Sequence, residues 1–130
     1  MNIVKNLLVC SVLLVSAGFS EYDVCDDIGS AIGAGDAKQL ASYFGSTVEL
    51  TIMNREDSYS KTQAEQIVRD FFSKNPPKSF AIIHKGSSKE GTQYAIGNLT
   101  TTKGAVFRTS FFTRQSGGSQ VIQELRFETE

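Results

Sequence analysis

The second half of this chain consists of four strand-like segments joined by hairpin turns, and this pattern restricts the fold more than any other feature. The segments are rich in β-branched and aromatic residues and cover 79–85, 93–101, 105–114 and 120–128. Each of the three connections contains glycine beside serine, threonine or lysine, which is typical of hairpins. Consecutive hairpins form an antiparallel meander, and such a sheet normally buries one face against another layer. The rest of the chain must supply that layer.

Two short helices are predicted ahead of the sheet. Apolar residues recur at helical spacing over residues 24–32, and the Gly-Ala-Gly sequence at 33–35 ends this first helix. Asp36 then caps a second helix. Phe44 is predicted to lie on the apolar side of this helix, and Gly45 is predicted to end it.

The third helix has the strongest pattern in the chain. Ser60 and Gln63 form a Ser-x-x-Gln capping box at its start. One continuous apolar stripe follows, formed by Ala64, Ile67, Val68, Phe71 and Phe72. The Asn-Pro-Pro sequence at 75–77 ends the helix, because proline cannot donate a backbone hydrogen bond and disfavours helix before it. The stripe indicates core packing, with charged residues on the opposite, solvated face.

One further strand is predicted between the second and third helices. Apolar and polar residues alternate over 48–52, which indicates a half-buried strand, and a polar stretch follows at 54–59. Neither internal repeats nor a low-complexity linker interrupts the chain. The sequence therefore predicts an α+β fold in which three N-terminal helices pack on a curved antiparallel sheet.

The first twenty residues are typical of a secretory signal. Lys5 precedes a short apolar run at 7–15, and small residues follow at 16–20. A membrane span needs about 20 apolar residues, so no stable membrane anchor is expected. We predict cleavage after Ser20, which gives a signal peptide at 1–20, a single domain at 21–130 and a secreted or periplasmic location.

Composition excludes several kinds of partner. The 13 basic and 14 acidic residues leave a net charge of −1, so no basic field exists for nucleic acid. One histidine and two cysteines are too few for a zinc site, and no metal or other cofactor is predicted. Cys25 would be the one cysteine of the mature chain, which leaves no internal disulfide and favours a buried, inert thiol.

The order of elements resembles the cone of the nuclear transport factor 2-like superfamily. Gly35-Asp36 followed by Leu40 and Phe44 resembles the glycine-aspartate turn of that superfamily, and residues 46–49 resemble the entry into its first strand. The chain is most similar to a family of short secreted bacterial domains of unknown function. That similarity covers roughly 22–128 and is carried by the segments 59–66, 70–72, 80–86 and 124–127.

The resemblance also tests one known chemistry. The superfamily includes ketosteroid isomerases, which use an Asp base together with a Tyr and a protonated Asp that hold the enolate. The base would directly follow Val48-Glu49, where this chain has Leu50, and the tyrosine position falls at about Asp27. Leucine cannot accept a proton and an aspartate does not replace a phenol donor. Isomerase chemistry of that kind is disfavoured.

His84 is the remaining candidate for acid–base catalysis, because its ordinary pKa suits proton transfer at neutral pH. It alternates with Phe80 and Ile82, which indicates a histidine on an apolar strand face and favours a structural role. Tyr94 is predicted to lie on a neighbouring strand, and no carboxylate is clearly placed to orient the imidazole. A small enzyme (isomerase, dehydratase or hydrolase) using His84 and Tyr94 is the alternative function.

The two faces of the 105–114 strand predict two further surfaces. If one set of side chains faces the helices, an apolar pocket would be lined by Tyr94, Phe107, Thr109 and Phe111, although the same residues would equally form a filled core. The other set would expose Phe112 between Arg108 and Arg114, a composition typical of interface centres. Related cones often dimerise through this sheet face, so a homodimer is predicted.

With the acid–base set missing, the sequence favours a secreted or periplasmic domain without enzymatic activity. Its predicted partners are a small apolar ligand or another protein.

Overall fold

Three helices and six strands are formed by residues 23–130, the part of the chain that the computed structural model describes. The predicted signal peptide at 1–20 lies outside these residues. The helices are α1 (Val24–Ala34), α2 (Ala37–Ala41) and α3 (Lys61–Lys74). The strands are β1 (Phe44–Ile52), β2 (Arg55–Ser60), β3 (Pro77–Ser87), β4 (Gln93–Thr101), β5 (Val106–Ser116) and β6 (Ser119–Thr129). None of the helices in this range has the length and apolar character needed to cross a bilayer.

The six strands form one curved sheet in the order β2-β1-β6-β5-β4-β3. The predicted meander is confirmed, because β3 to β6 pair antiparallel in sequence order. The prediction of an entirely antiparallel sheet is wrong, because β1 pairs with β6 in parallel, with Leu50 opposite Leu125. The long connection through α3 and the meander allows the last strand to return beside the first in the same direction.

The second strand is a further correction. Residues 54–59 were expected to be an irregular polar stretch, but Arg55–Ser60 pairs with β1 through a two-residue turn. Backbone hydrogen bonds stabilise an edge strand without apolar side chains, and charged residues at an edge oppose aggregation. Hydrophobic alternation therefore gives no signal for β2.

The second helix is shorter than predicted. It ends at Ala41, and Phe44 and Gly45 belong to β1 rather than to the helix. Phe44 lies four residues after Leu40, a spacing that also fits a helix, so periodicity alone could not distinguish the two structures. Strand pairing decides the outcome, because the Ile122 amide donates to the Tyr43 carbonyl at 2.6 Å.

The third helix has the predicted structure. The capping box is present, since the Gln63 amide donates to Ser60 Oγ at 3.2 Å and the Ser60 amide donates to the Gln63 side chain at 3.3 Å. Phe71 packs on Phe107 and Phe127, with ring centroids 5.1 and 4.7 Å apart. The opposite face is solvated and carries ion pairs between Glu65 and Arg69 and between Asp70 and Lys74.

Candidate functional site

The concave face of the sheet is filled at the positions predicted to line a pocket. Phe107, Thr109 and Phe111 are buried, and Thr109 is 0% exposed. The Thr109 hydroxyl donates to the Phe107 carbonyl at 3.1 Å, which satisfies it within its own strand. Phe71 covers Phe107 from the helical layer. These three residues form packed core, the alternative that the sequence left open, rather than the walls of an open cone.

Tyr94 does not share their face, so its predicted place beside them is wrong. On β4 the buried positions are Ala95, Gly97, Leu99 and Thr101. Tyr94 lies on the opposite, outer face with Phe112 as its cross-strand neighbour. A shift of one residue moves a strand side chain to the other face. Which face Tyr94 shares with the β5 side chains depends on the register between β4 and β5, and the sequence pattern does not indicate that register.

A cavity lies elsewhere on the concave side, between α3 and the β1–β2 hairpin. Its volume is about 560 Å³. Its apolar walls come from both layers and comprise Leu50, Ile52, Tyr59, Ile67 and Phe71. Its remaining lining residues are Met53, Asn54, Arg55, Asp70, Lys74 and Asn75. Volume and lining are those of a small-molecule site.

Sequence analysis missed this cavity because one of its sides, with Arg55 and Tyr59, is built by β2. The β1–β2 register places Ile52 opposite Arg55 and Val48 opposite Tyr59, which brings both β2 side chains to the concave side. Ile67 is only half-buried in the apolar stripe of α3, because the cavity lies beside it. Tyr59 directly precedes the capping-box Ser60, and an aromatic residue at that position does not by itself indicate a pocket.

The turn at the end of the hairpin contains a backbone conformation that favours glycine. Met53 has φ 60°, and apart from glycines it is the one residue of the range 23–130 with positive φ. Its amide donates to the Phe127 carbonyl at 2.7 Å, which holds the turn against β6. Its side chain is partly exposed at the cavity. A methionine therefore occupies a strained turn position where its thioether lines the cavity.

His84 and Tyr94 do meet, but on the outer face. A β-bulge occurs between Ile82, which pairs with Gly97, and His84, which pairs with Ile96. The extra residue reverses the alternation, so the prediction that His84 shares the apolar face of Phe80 and Ile82 is wrong. His84 Nε2 lies 3.0 Å from the Tyr94 hydroxyl, and the imidazole is exposed. The contact joins an imidazole to a phenol and involves no carboxylate.

The same bulge directs Lys85 toward the helical layer. Its Nζ donates to Asp23 at 2.5 Å and to Asp26 at 3.0 Å, at the start of α1. The hydrogen bond from Lys85 is the main reason that the pKa of Asp23 lies below its ordinary value, and the two carboxylates raise the pKa of Lys85. Asp23 also caps α1 by accepting from the Cys25 amide at 3.0 Å. These contacts join α1 to β3.

Cys25 is a buried, free cysteine of the described residues. The Cys25 thiol is buried, and burial is the main cause that raises its pKa to about 11. It is therefore protonated at neutral pH and matches the predicted inert thiol. No group of three His, Cys, Asp or Glu side chains within residues 23–130 converges on a metal position.

The outer face carries the predicted interface residues. Arg108, Phe112 and Arg114 are all exposed on β5, and Phe112 is 40% exposed. The Phe112 ring packs edge-on against Tyr94, with centroids 6.1 Å apart. A depression of about 190 Å³ lies beside them and is also lined by Ile96 and Arg126. This face therefore combines an exposed phenylalanine and a half-buried tyrosine with surrounding charges.

Comparison with known proteins agrees with this architecture. A family model described as "Domain of unknown function (DUF4783)" matches residues 25–128. A DUF4783 family protein from Bacteroides uniformis is 30% identical, with a TM-score of 0.78 over 83% of this chain and 98% of its own. Another from Bacteroides fragilis is 31% identical, with a TM-score of 0.74 over 79% of this chain and 95% of its own.

A more distant structure extends the likeness of fold. An NTF2-like protein of unknown function from Shewanella baltica is 14% identical, with a TM-score of 0.63 over 82% of this chain and 88% of its own. A search of curated proteins gives no significant match. Because the family model covers most of the chain, the protein belongs to DUF4783, a family of domains of unknown function, and has an NTF2-like fold.

Proposed function

We propose that this protein is a non-enzymatic binding domain that acts outside the cytoplasm after removal of its signal peptide. Its ligand is a small apolar molecule held between α3 and the β1–β2 hairpin. The observation that carries the proposal is the cavity of about 560 Å³ with five apolar or aromatic wall residues. A folded core normally fills such a space, so a cavity of this size and lining favours a bound molecule.

The enzymatic alternative has weaker support. One observation favours it, the 3.0 Å contact between His84 Nε2 and the Tyr94 hydroxyl. The pair lies on an open sheet face, opposite the cavity, where water would compete with any substrate. A His84→Ala variant that folds normally yet loses an isomerase, dehydratase or hydrolase turnover of the unaltered protein would support this alternative over ours.

Native mass spectrometry of the processed protein, purified gently from a secreting host, tests the binding proposal. We expect a reproducible adduct of small-molecule mass and an N-terminus after Ser20. Ile67→Trp should abolish the adduct, because the larger ring fills the space beside α3. Ile83→Trp is the matched control, because Ile83 is 64% exposed at the β3 bulge and does not line the cavity.

Two results would contradict the proposal. A protein that carries no adduct and also binds no added apolar probe would show that the cavity is not a ligand site. An adduct that Ile67→Trp and Ile83→Trp retain equally would place the ligand elsewhere. A chain that still begins at Met1 would separately contradict the extracytoplasmic location.

A further inference from the structure

We propose that the ligand of this cavity is a single-chain amphiphile with an anionic head group, with the head group at Arg55 and the apolar chain inside. The inference rests on the proposed function and adds the chemical class of the ligand. The cavity has an apolar interior and a charged edge, so a matching ligand has an apolar part and a charged part.

The net charge at the edge of the cavity is positive when the ion pair between its lining residues is taken into account. Arg55, Lys74 and Asp70 are the charged lining residues. Lys74 lies 3.1 Å from Asp70 one helical turn away, so these two charges largely cancel. Arg55 has no ion-pair partner within residues 23–130. One guanidinium therefore remains available to a ligand.

The position of Arg55 suits a head-group contact. It is the first residue of β2 and pairs with Ile52, which forms part of the apolar wall. An arginine stem can lie along apolar surface while its guanidinium reaches water at the opening. The planar guanidinium matches carboxylate and phosphate oxygens in a two-point contact.

Asp57 is a competitor for the Arg55 charge on the same strand. It lies two residues along β2, and its register opposite Leu50 puts it on the same side of the strand. Asp57 does not line the cavity, and its carboxylate accepts a hydrogen bond from the Ser58 amide at 2.8 Å. Asp57 thus weakens, without cancelling, the positive field at Arg55.

Met53 supplies an independent observation for the apolar part of the ligand. Its positive φ is costly for any residue with a side chain, and such outliers occur where function requires them. At this position Met53 contributes a flexible, polarisable side chain to the lining of the cavity, two residues before Arg55. Methionine adapts to irregular apolar shapes, as a flexible alkyl chain requires.

Isothermal titration calorimetry of the signal-free protein tests the inference with ligands of one chain length. The probes are decanoate, decyl phosphate, decanol and decylamine. We expect both anions to bind more tightly than decanol, and decylamine to bind most weakly. Either anion satisfies Arg55, and the tighter of the two identifies the natural head group.

Three variants assign the preference to Arg55. Arg55→Gln should weaken decanoate binding by about fivefold, the effect of losing one partly exposed ion pair, and leave decanol binding unchanged. Asp57→Asn should strengthen decanoate binding, because it removes the competing charge. Arg108→Gln is the matched control, because it removes an exposed arginine from the outer face and should change neither affinity.

The outcomes separate this inference from the proposed function. If decanol binds as tightly as decanoate and Arg55→Gln changes nothing, the head-group inference is wrong while the binding function stands. Tightest binding of decylamine would likewise overturn it. If no probe binds, the proposed function fails and the inference fails with it.

Discussion

Met53 shows how one residue can connect backbone strain to the cavity. A side chain at φ 60° raises the free energy of the folded state, because Cβ crowds the backbone in the left-handed region. Glycine adopts this conformation without that cost. Strain at this position could not be predicted, because Met-Asn is not a favoured hairpin pair and the sequence pattern does not indicate a turn here.

We expect Met53→Gly to raise the free energy of unfolding by about 0.5–1 kcal/mol, since relief of strain exceeds the added entropy of an unfolded glycine. The same variant should weaken binding of apolar probes, because the thioether is lost. Urea unfolding at neutral pH measures the first effect. Met53→Ala is the control, because it removes the thioether but keeps the strain. Equal stability of the two variants would contradict the strain argument.

Two side chains were predicted on the wrong face of the sheet, each for a reason that depends on strand pairing. His84 was assigned to an apolar face from alternation along its own strand, and Tyr94 was placed beside Phe107 and Phe111 of the neighbouring strand. The bulge after Ile82 reverses the first assignment, and the β4–β5 register reverses the second. Cys25 was placed correctly, because its burial follows from the helical spacing of α1 alone. Local periodicity thus predicts burial until a bulge or a cross-strand register intervenes.

Whole elements were predicted where the signal is local in sequence and missed where it depends on distant strand pairing. The capping box and apolar stripe predicted α3 closely, and hairpin chemistry predicted the meander. The β2 strand and the parallel β1–β6 pair escaped prediction. Charged edge strands lack hydrophobic alternation, and a parallel pair joins residues far apart in sequence. The cavity was missed for this reason, because β2 forms one of its sides.

The contact between α1 and β3 makes stability depend on pH. The pKa of Asp23 is lowered in the folded state, chiefly by the hydrogen bond from Lys85, so its contribution is fully present above the ordinary value of 3.8. It is lost as pH falls through the lower, folded value. Lys85 has a raised pKa, so its contribution is lost only as pH rises into the strongly alkaline range.

Lys85→Gln should therefore lower the urea midpoint at neutral pH, and the difference from the unaltered protein should shrink as pH falls below 3.8. Both side chains are well exposed, so we expect a small effect that added salt reduces further. Lys89→Gln is the matched control, since Lys89 is an exposed residue of the β3–β4 connection. A difference that stays constant from neutral to acidic pH would contradict the assignment to Asp23.

At the scale of the whole molecule, the sheet separates two surfaces. The cavity lies on the side covered by α3, and the aromatic pair of Tyr94 and Phe112 lies on the other. Because the six-stranded sheet stands between them, one surface can be covered without closing the other. We propose that the outer face carries the homodimer contact predicted from Arg108, Phe112 and Arg114.

Phe112→Asp should convert the dimer to a monomer, because a carboxylate in the middle of an apolar interface is desolvated without a partner. Size-exclusion chromatography with light scattering measures the mass across a dilution series. Ligand affinity should be unchanged, because the substitution lies across the sheet from the cavity. Ile83→Asp, which adds the same charge at the exposed β3 bulge, should leave the mass unaltered. A Phe112→Asp variant that remains dimeric would exclude this face as the dimer interface. An unaltered protein that is monomeric at every concentration would exclude self-association and direct the search toward a different protein partner.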